Sequence, residues 1–264
     1  MDAELLVREA LGGWDRARFL AHQDEPAAGG AEHAVEALLA RRERREPISL
    51  ILGRREFWGV EFRVTPDVLT PRPETELVVE EALACLATDP APAPLSLADV
   101  GTGSGCLAVA LALELPTAHV VATDVSAAAR EVARGNATRH GVAGRIRFER
   151  ASLLGGAGNL SLVVSNPPYV AAGDLAALPP EVREFEPASA LDGGPDGLEI
   201  VRDLLASAGS ALLPGGWLVF EFGDGQEEGV RAAIAASRLE MVRIRSDLQG
   251  IPRTAVVRRP PAGR

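Results

Sequence analysis

Lysine is missing altogether: all 27 basic residues are arginines, set against 37 acidic residues for a formal charge of −10 over 264 positions. This excludes a Schiff-base amine, a phosphate-loop lysine and a lysine general base. The acidic balance also argues against a protein that tracks nucleic acid, because phosphate affinity rests on basic residues that displace counterions. Aromatic residues make up only 4%, and tyrosine occurs once, at Tyr169. The two cysteines, Cys85 and Cys106, lie far apart in apolar surroundings without metal or redox spacing, and read as buried small side chains in a reducing compartment. His22, His33, His119 and His140 are scattered; none is assigned a role and no metal site is expected. No apolar run approaches the ~20 residues that cross a bilayer, and MDAELLVREA lacks the basic stretch and apolar core of a secretory signal. A cytoplasmic protein without membrane association is expected.

What remains, 47% hydrophobic and 24% charged residues, excludes disorder, collagen and coiled coil and fits one large domain, or one large and one small. Residues 1–45 read as helices around a Pro/Gly loop, EPAAGG, with apolar stripes at Leu5, Leu6 and Leu11, at Phe19 and Leu20, and at Val35, Leu38 and Leu39. From Pro47 the pattern changes to extended pieces, ISLILG and FWGVEFRV, which predict a β-hairpin connector. Pro73 suits the first position of a helix over ETELVVEEALACL. After the stretch DPAPAPLS, the apolar runs LADVG, HVVATD, RIRFER, LVVSN and GWLVFEF alternate with helical segments near 104–115, 126–139 and 196–212. That alternation predicts a mainly parallel sheet covered by helices on both faces, with ligands at the carboxyl ends of its strands. EMVRIRSDLQGIPRTAVVRR reads as an antiparallel hairpin at the sheet edge.

Strand residues Leu97 to Val100 run into Gly101-Thr102-Gly103-Ser104-Gly105 and then a helix. Such a loop brings a ligand close to the main chain and the helix N-terminus. Its sixth position is Cys106, so the dinucleotide fingerprint G-x-G-x-x-G is not met and a nicotinamide cofactor is disfavoured. Asp124, nineteen residues beyond Gly105 at the end of the next strand, is placed to bind both hydroxyls of a ribose. The alternative, that Asp124 caps the following helix, is weakened because Ser126 can do so. Glycines followed by this acid fit S-adenosylmethionine as well as a nucleotide.

The most informative residues are Asn166-Pro167-Pro168-Tyr169, directly after LSLVVS. Two prolines end the strand rigidly. The turn presents the Asn166 side-chain carbonyl, the Pro167 carbonyl and an aromatic ring, and two neighbouring acceptors can grip both hydrogens of a planar NH2 group. An amide nitrogen so held is aligned for attack on an activated methyl, and because it becomes acidic only as the methyl arrives, no strong base is required beforehand.

Together these residues resemble the HemK family, the glutamine methyltransferases that modify peptide-chain release factors. The resemblance extends over most of the chain and includes Phe57-Trp58-Gly59, Leu69-Thr70-Pro71-Arg72-Pro73-Glu74-Thr75-Glu76, Asp99 to Gly105, Asn166 to Tyr169, Glu186-Pro187, Gly193-Gly194 with Asp196-Gly197-Leu198, Pro214-Gly215-Gly216, Glu221-Phe222-Gly223 with Gln226, and Arg253. It implies a Rossmann-like α/β class I S-adenosylmethionine-dependent methyltransferase fold. A small N-terminal helical domain that docks the protein substrate would span residues 1–46, a β-hairpin connector 47–70 and the catalytic domain 71–264. The donor would be S-adenosylmethionine, leaving S-adenosylhomocysteine, and the acceptor the glutamine of the Gly-Gly-Gln loop of class I release factors. By position, Gly101, Thr102, Gly103, Ser104 and Gly105 would hold the methionine moiety, Asp124 the ribose, Leu153 the adenine, and Asn166, Pro167, Pro168 and Tyr169 the glutamine, with Asn166 also touching the donor. Asn166, Pro167 and Tyr169 are the expected catalytic residues, and a monomer is expected. Departures from the family pattern are Ser152, where an acid is usual, Leu50, where tyrosine is common, and the helical module, which starts at what resembles the family's second helix and so reads as shortened. A sibling group that methylates a ribosomal-protein glutamine carries a different string after Pro-Arg. Adenine-specific DNA methylation uses the same turn but calls for a basic face. The cluster Arg41, Arg42, Arg44 and Arg45 is interleaved with Glu43 and Glu46 and reads as a solvated helix end instead. A silent binding module would have no need of the intact turn.

Overall fold

The computed structural model describes residues 2–26, 29–88 and 94–261; residues 27–28 of the first loop and 89–93 of the Pro/Ala stretch lie outside them. Three helices open the chain, α1 (Asp2–Ala10), α2 (Arg16–Ala21) and α3 (Ala31–Glu43), with Asp15 capping α2 through the Arg18 amide. Leu6 of α1 is buried completely, whereas Leu20 and Leu39 stay exposed, so the expected stripes are only partly covered. The segment ISLILG is not extended. It forms the helix α4 (Ile48–Leu52), started by Pro47 and closed by Gly53 at φ 69°. A short apolar run is ambiguous between strand and helix, and here the flanking proline and glycine carried the signal. The hairpin is therefore β1 (Arg54–Phe57) and β2 (Val60–Arg63) alone, pairing Phe57 with Val60 across Trp58 and Gly59. Both turn residues have positive φ, 53° and 69°, the two-residue turn that matches strand twist.

A turn of 3-10 helix (Pro73–Thr75) leads into α5 (Glu76–Thr88), as Pro73 suggested. The alternating part follows: β3 (Ser96–Val100), α6 (Cys106–Glu114), β4 (His119–Asp124), α7 (Ala127–Arg139), β5 (Ile146–Arg150) and β6 (Leu160–Ser165). After the short helix α8 (Pro180–Arg183) come α9 (Glu199–Ala211), β7 (Leu212–Glu221), α10 (Glu227–Ala235), β8 (Glu240–Ser246) and β9 (Pro252–Arg258). The strands form one sheet in the order β5-β4-β3-β6-β7-β9-β8, parallel except for the antiparallel pairs that β9 makes with β7 and β8. The helix α10 was not expected from the sequence, although Val230 and Ile234 are buried at helical spacing.

The sheet has a core on each face, and residue alternation assigns sides. Leu97, Leu162, Val164 and Val219 pack with α5 and α6, while Ala98, Val163, Leu218 and Phe220 pack with α9 and α10. Every residue of β6 is buried, as a central parallel strand demands. The order reverses between β3 and β6, which opens a crevice at their carboxyl ends.

Ties between elements are polar. Asn136 of α7 accepts from the Arg63 amide at 2.8 Å and donates to the Arg63 and Ser104 carbonyls, pinning the hairpin and the glycine loop to one helix. The arginine cluster sits at the end of α3 with Arg44 and Arg45 exposed, as expected, and also carries ion pairs: Arg41 meets Glu46, while Arg42 and Arg45 both meet Glu181 of α8.

Candidate active site

The crevice between β3 and β6 holds an open cleft at the place where such sheets bind ligands. The loop after β3 forms one wall. Gly101, Gly103 and Gly105 sit at φ 69°, 53° and 83°, and a Cβ on Gly105 would lie 3.0 Å from the Ala133 side chain of α7. At Gly105 a side chain is thus excluded twice, by handedness and by helix packing, and at Gly101 and Gly103 it is disfavoured by handedness. Asp124 lines the cleft while accepting from the Gly103 amide at 3.0 Å and the Ser126 amide at 2.8 Å; Ser126 itself caps α7 through Ala129. Its remaining lone pairs stay open to a ligand. Asp99, at the floor, accepts from the Thr102 hydroxyl at 2.6 Å and the Ala108 amide at 3.0 Å through Oδ2, while Oδ1 is buried with no partner. Burial pushes the Asp99 carboxyl up to about 7 despite those donors. Ser152 and Leu153 line the far side, with Leu153 held at φ 52° and its carbonyl accepting from the Thr123 hydroxyl.

Four aspartates, Asp67, Asp99, Asp124 and Asp203, line this cleft, and among the described residues no arginine or histidine does. A pyrophosphate would find only like charge there. A ligand with positive centres and a ribose fits, since Asp99 Oδ1 offers an unused acceptor at no further desolvation cost.

Asn166, Pro167 and Pro168 line the opposite wall at the end of β6. Asn166 Nδ2 donates to the Thr75 hydroxyl at 3.0 Å, and Asn166 Oδ1 is buried without a partner. Thr75 in turn donates to Glu221 Oε2 at 2.6 Å, and the Tyr169 hydroxyl donates to Glu221 Oε1 at 3.3 Å. Burial pushes Glu221 up to about 7 against the pull of these hydroxyls, and burial together with the Glu221 charge holds the Tyr169 phenol above its ordinary value. Tyr169 does not line the cleft in this structure; its ring stands beside Gly223 and its hydroxyl faces Glu221.

The turn is seated by residues whose role was not legible from local pattern. Gln226 donates to the Tyr169 carbonyl at 2.8 Å and accepts from the Gly223 amide. A Cβ on Gly193 would come within 2.8 Å of Tyr169 Cα, and one on Gly197 within 2.4 Å of the Tyr169 carbonyl oxygen. Arg72 reaches both oxygens of buried Glu186 at 2.8 and 2.7 Å, and Glu76 accepts from the Trp58 amide. The string from Arg72 to Glu76 therefore ties together four separate segments, at Trp58, Asn166, Glu186 and Glu221.

Comparison with known proteins agrees with this architecture. Residues 82–178 match the family model of the methyltransferase small domain, and residues 1–53 that of the PrmC N-terminal domain. A release factor glutamine methyltransferase of Geobacter sulfurreducens is 47% identical over 87% of this chain and 79% of its own length; one of Cereibacter sphaeroides is 43% identical over 99% and 91%. The chain belongs to the release factor glutamine methyltransferase family. Among solved structures, the ribosomal protein L11 methylase of Lactobacillus delbrueckii subsp. bulgaricus superposes with a TM-score of 0.52 at 25% identity, covering 72% of this chain and 80% of that one. A methyltransferase from Pyrococcus furiosus gives 0.55 at 17% identity, over 87% and 99%, and shares the fold. Membership in this family does not favour the ribosomal-protein and DNA alternatives weighed from the sequence. Within the family frame, the residues that sequence pattern left without a physical role are Thr75, Glu186, Glu221 and Gln226. Glu221 lies 146 positions from Thr75, a separation at which no local pattern can reveal the contact. No described helix is long and apolar enough to cross a membrane, and no described group of acids, histidines and cysteines could hold a metal.

Proposed function

We propose that this chain transfers a methyl group from S-adenosylmethionine to the side-chain amide nitrogen of the glutamine in the Gly-Gly-Gln loop of a class I release factor. One observation carries the reading: Asn166 Oδ1, on a residue lining an acid-rich cleft, is a buried acceptor without a partner. Such an orphan costs about 1–3 kcal/mol, and a site built for an NH2 group recovers that cost when its substrate binds.

The cleft residues suit the donor. Gly101 to Ser104 give backbone access for its methionine part, Asp99 Oδ1 an acceptor for its ammonium, and Asp124 an acceptor for its ribose hydroxyls, while Gly105 packs the turn onto Ala133. Leu153 and Val125 give apolar surface beside the ring, with Ser152 rather than an acid next to it. When bound, the donor supplies a methyl on a positively charged sulfur, already activated towards nucleophiles. Asn166 and the Pro167 carbonyl accept the two amide hydrogens and hold the nitrogen lone pair in line. As the N–C bond forms, the S–C bond breaks with its electron pair on sulfur, and the nitrogen sheds one proton to solvent. No protein base needs to act first. Positioning of this kind is worth several kcal/mol of barrier. The helices α1 to α3, with an apolar cleft among Val7, Leu11, Trp14, Phe19 and Val35, are the proposed docking module for the release factor.

The test offers labelled donor separately with a release factor, a ribosomal protein and duplex DNA. Label in the release factor alone supports the proposal, and label in either other acceptor alone overturns it.

A further inference from the structure

We infer that Glu221, acting through Thr75, is the positioning residue that fixes which end of the Asn166 amide faces the substrate. The inference rests on the glutamine-binding role proposed above for Asn166 and deepens it. A side-chain amide has a donor end and an acceptor end of nearly equal shape, and only the acceptor end can hold a substrate NH2. Nothing in the Asn-Pro-Pro-Tyr turn itself selects between them.

The selection comes from behind. Thr75 has one hydroxyl hydrogen, and the carboxylate of Glu221, which can only accept, takes it at 2.6 Å. The Thr75 oxygen is left as an acceptor, so the Asn166 group 3.0 Å away has to be the NH2. Asn166 Oδ1 then points away from Thr75, and it is the atom found buried with no partner. The direction of donation thus runs from Asn166 to Thr75 to Glu221 and ends on a charge. Thr75 is 1% exposed and Glu221 2%, which shields the chain of hydrogen bonds from bulk solvent. Tyr169 donates to the other carboxylate oxygen, which keeps the ionised form partnered on both sides.

A neutral group at position 221 removes the selection. Glutamine, or a protonated glutamate, can donate to Thr75; Thr75 is then free to donate to Asn166 Oδ1, and the amide turns its NH2 towards the substrate. Two donors would face each other where a donor and an acceptor met. The charged and titratable groups around Glu221 are Glu74, Tyr169, Arg253 and Cys106. Of these, Arg253 favours the charged form of Glu221 and Glu74 opposes it.

The experiment reads turnover and amide orientation in parallel. The chain has three asparagines, Asn136, Asn159 and Asn166, so selective nitrogen-15 labelling gives a side-chain amide spectrum of three pairs. In the wild type the Asn166 pair shows one hydrogen-bonded, slowly exchanging proton. Glu221→Gln is expected to shift that pair and to lower kcat for release factor about a hundredfold, the cost of losing one aimed hydrogen bond in a reacting site, with donor affinity unchanged. Thr75→Val should do the same, and Thr75→Ser, which keeps the hydroxyl, should restore most of the turnover that valine loses. At saturating donor, the wild-type kcat should fall on the acid side of neutrality, and Glu221→Gln should lack that limb. A folded Glu221→Gln or Thr75→Val protein with wild-type kcat, or with an unmoved Asn166 pair, overturns the inference. If the wild type fails to methylate release factor, the proposed reaction falls, and the amide spectrum still decides the orientation.

Discussion

Replacing Gly197 by alanine should damage catalysis without touching the cleft. A Cβ at this position would stand 2.4 Å from the Tyr169 carbonyl oxygen and 2.6 Å from Gln226 Nε2, the very pair whose hydrogen bond seats the turn. Real Cβ contacts stop at about 3.0 Å, so the Tyr169 backbone has to retreat by at least 3.0 − 2.4 = 0.6 Å. Displacement of reacting groups by about 1 Å costs on the order of a hundredfold, which puts the expected loss in kcat near tenfold or somewhat more. Overpacking adds about 1–3 kcal/mol of destabilisation, and the backbone at φ +73° adds about 1 more for an L side chain. A fall in melting temperature of roughly 5–15 °C follows for a chain of this size. Gly141→Ala separates the two effects, because Gly141 has φ +71° but nothing within 4 Å of its Cβ position. It should lose about 1 kcal/mol of stability from strain alone. The assay compares initial rates at saturating donor, donor affinity by calorimetry and thermal melting for both variants. A folded Gly197→Ala protein with wild-type kcat would refute the claim that the seat of the turn controls the reaction.

Three other outcomes are expected. Asn166→Ala should abolish measurable transfer while leaving donor affinity within a few fold, and calorimetry beside a rate assay checks both. Asp99 and Glu221, each raised to about 7 by burial, bind protons more tightly in the folded state than when unfolded. Their contribution to stability is therefore full below the ordinary carboxylate range and is lost as pH rises towards 7, while binding of a cationic donor should tighten over the same interval as Asp99 ionises; melting temperature against pH, with and without donor, reads both trends, and flat curves would count against the assignment. Arg72→Met leaves Glu186, whose side chain is 1% exposed, without its cation, and should cost about 2 kcal/mol after allowance for the partial exposure of Arg72, seen as a lower melting temperature.

The sheet part of the fold was readable because its parallel strands are short apolar runs and because α6 and α7 begin at the glycine and serine signals Gly105 and Ser126. LSLVVS, short and ended by two prolines, reads as a fully covered strand, and all six of its residues are buried. At ISLILG the expectation fails because a five-residue apolar helix mimics a strand, and Gly53, which punctuates either element, closes a helix here. Of the residues singled out from the sequence, Gly101 to Ser104, Asp124, Leu153, Asn166, Pro167 and Pro168 border one cleft, while Gly105 packs against Ala133 behind it. Tyr169 does not border it, because its hydroxyl is drawn towards Glu221. The partners behind the turn could not be read from local pattern, since Thr75, Asn166 and Glu221 meet only through the tertiary fold, 91 and 146 positions apart. The arginine cluster does lie at the end of α3 on a partly solvated face, and its long-range partner Glu181 is the part that no local pattern could show.

The central claim is that the Asn166 acceptor and the acid-lined cleft together serve methyl transfer to a glutamine amide. It is tested most directly by incubating the protein with S-adenosylmethionine and an unmodified class I release factor, then mapping the modified peptide by fragmentation mass spectrometry. A single methyl group on the side-chain nitrogen of the Gly-Gly-Gln glutamine, absent with Asn166→Ala, is the predicted result. Methyl on any other residue, or none with a protein that binds the donor, would contradict it.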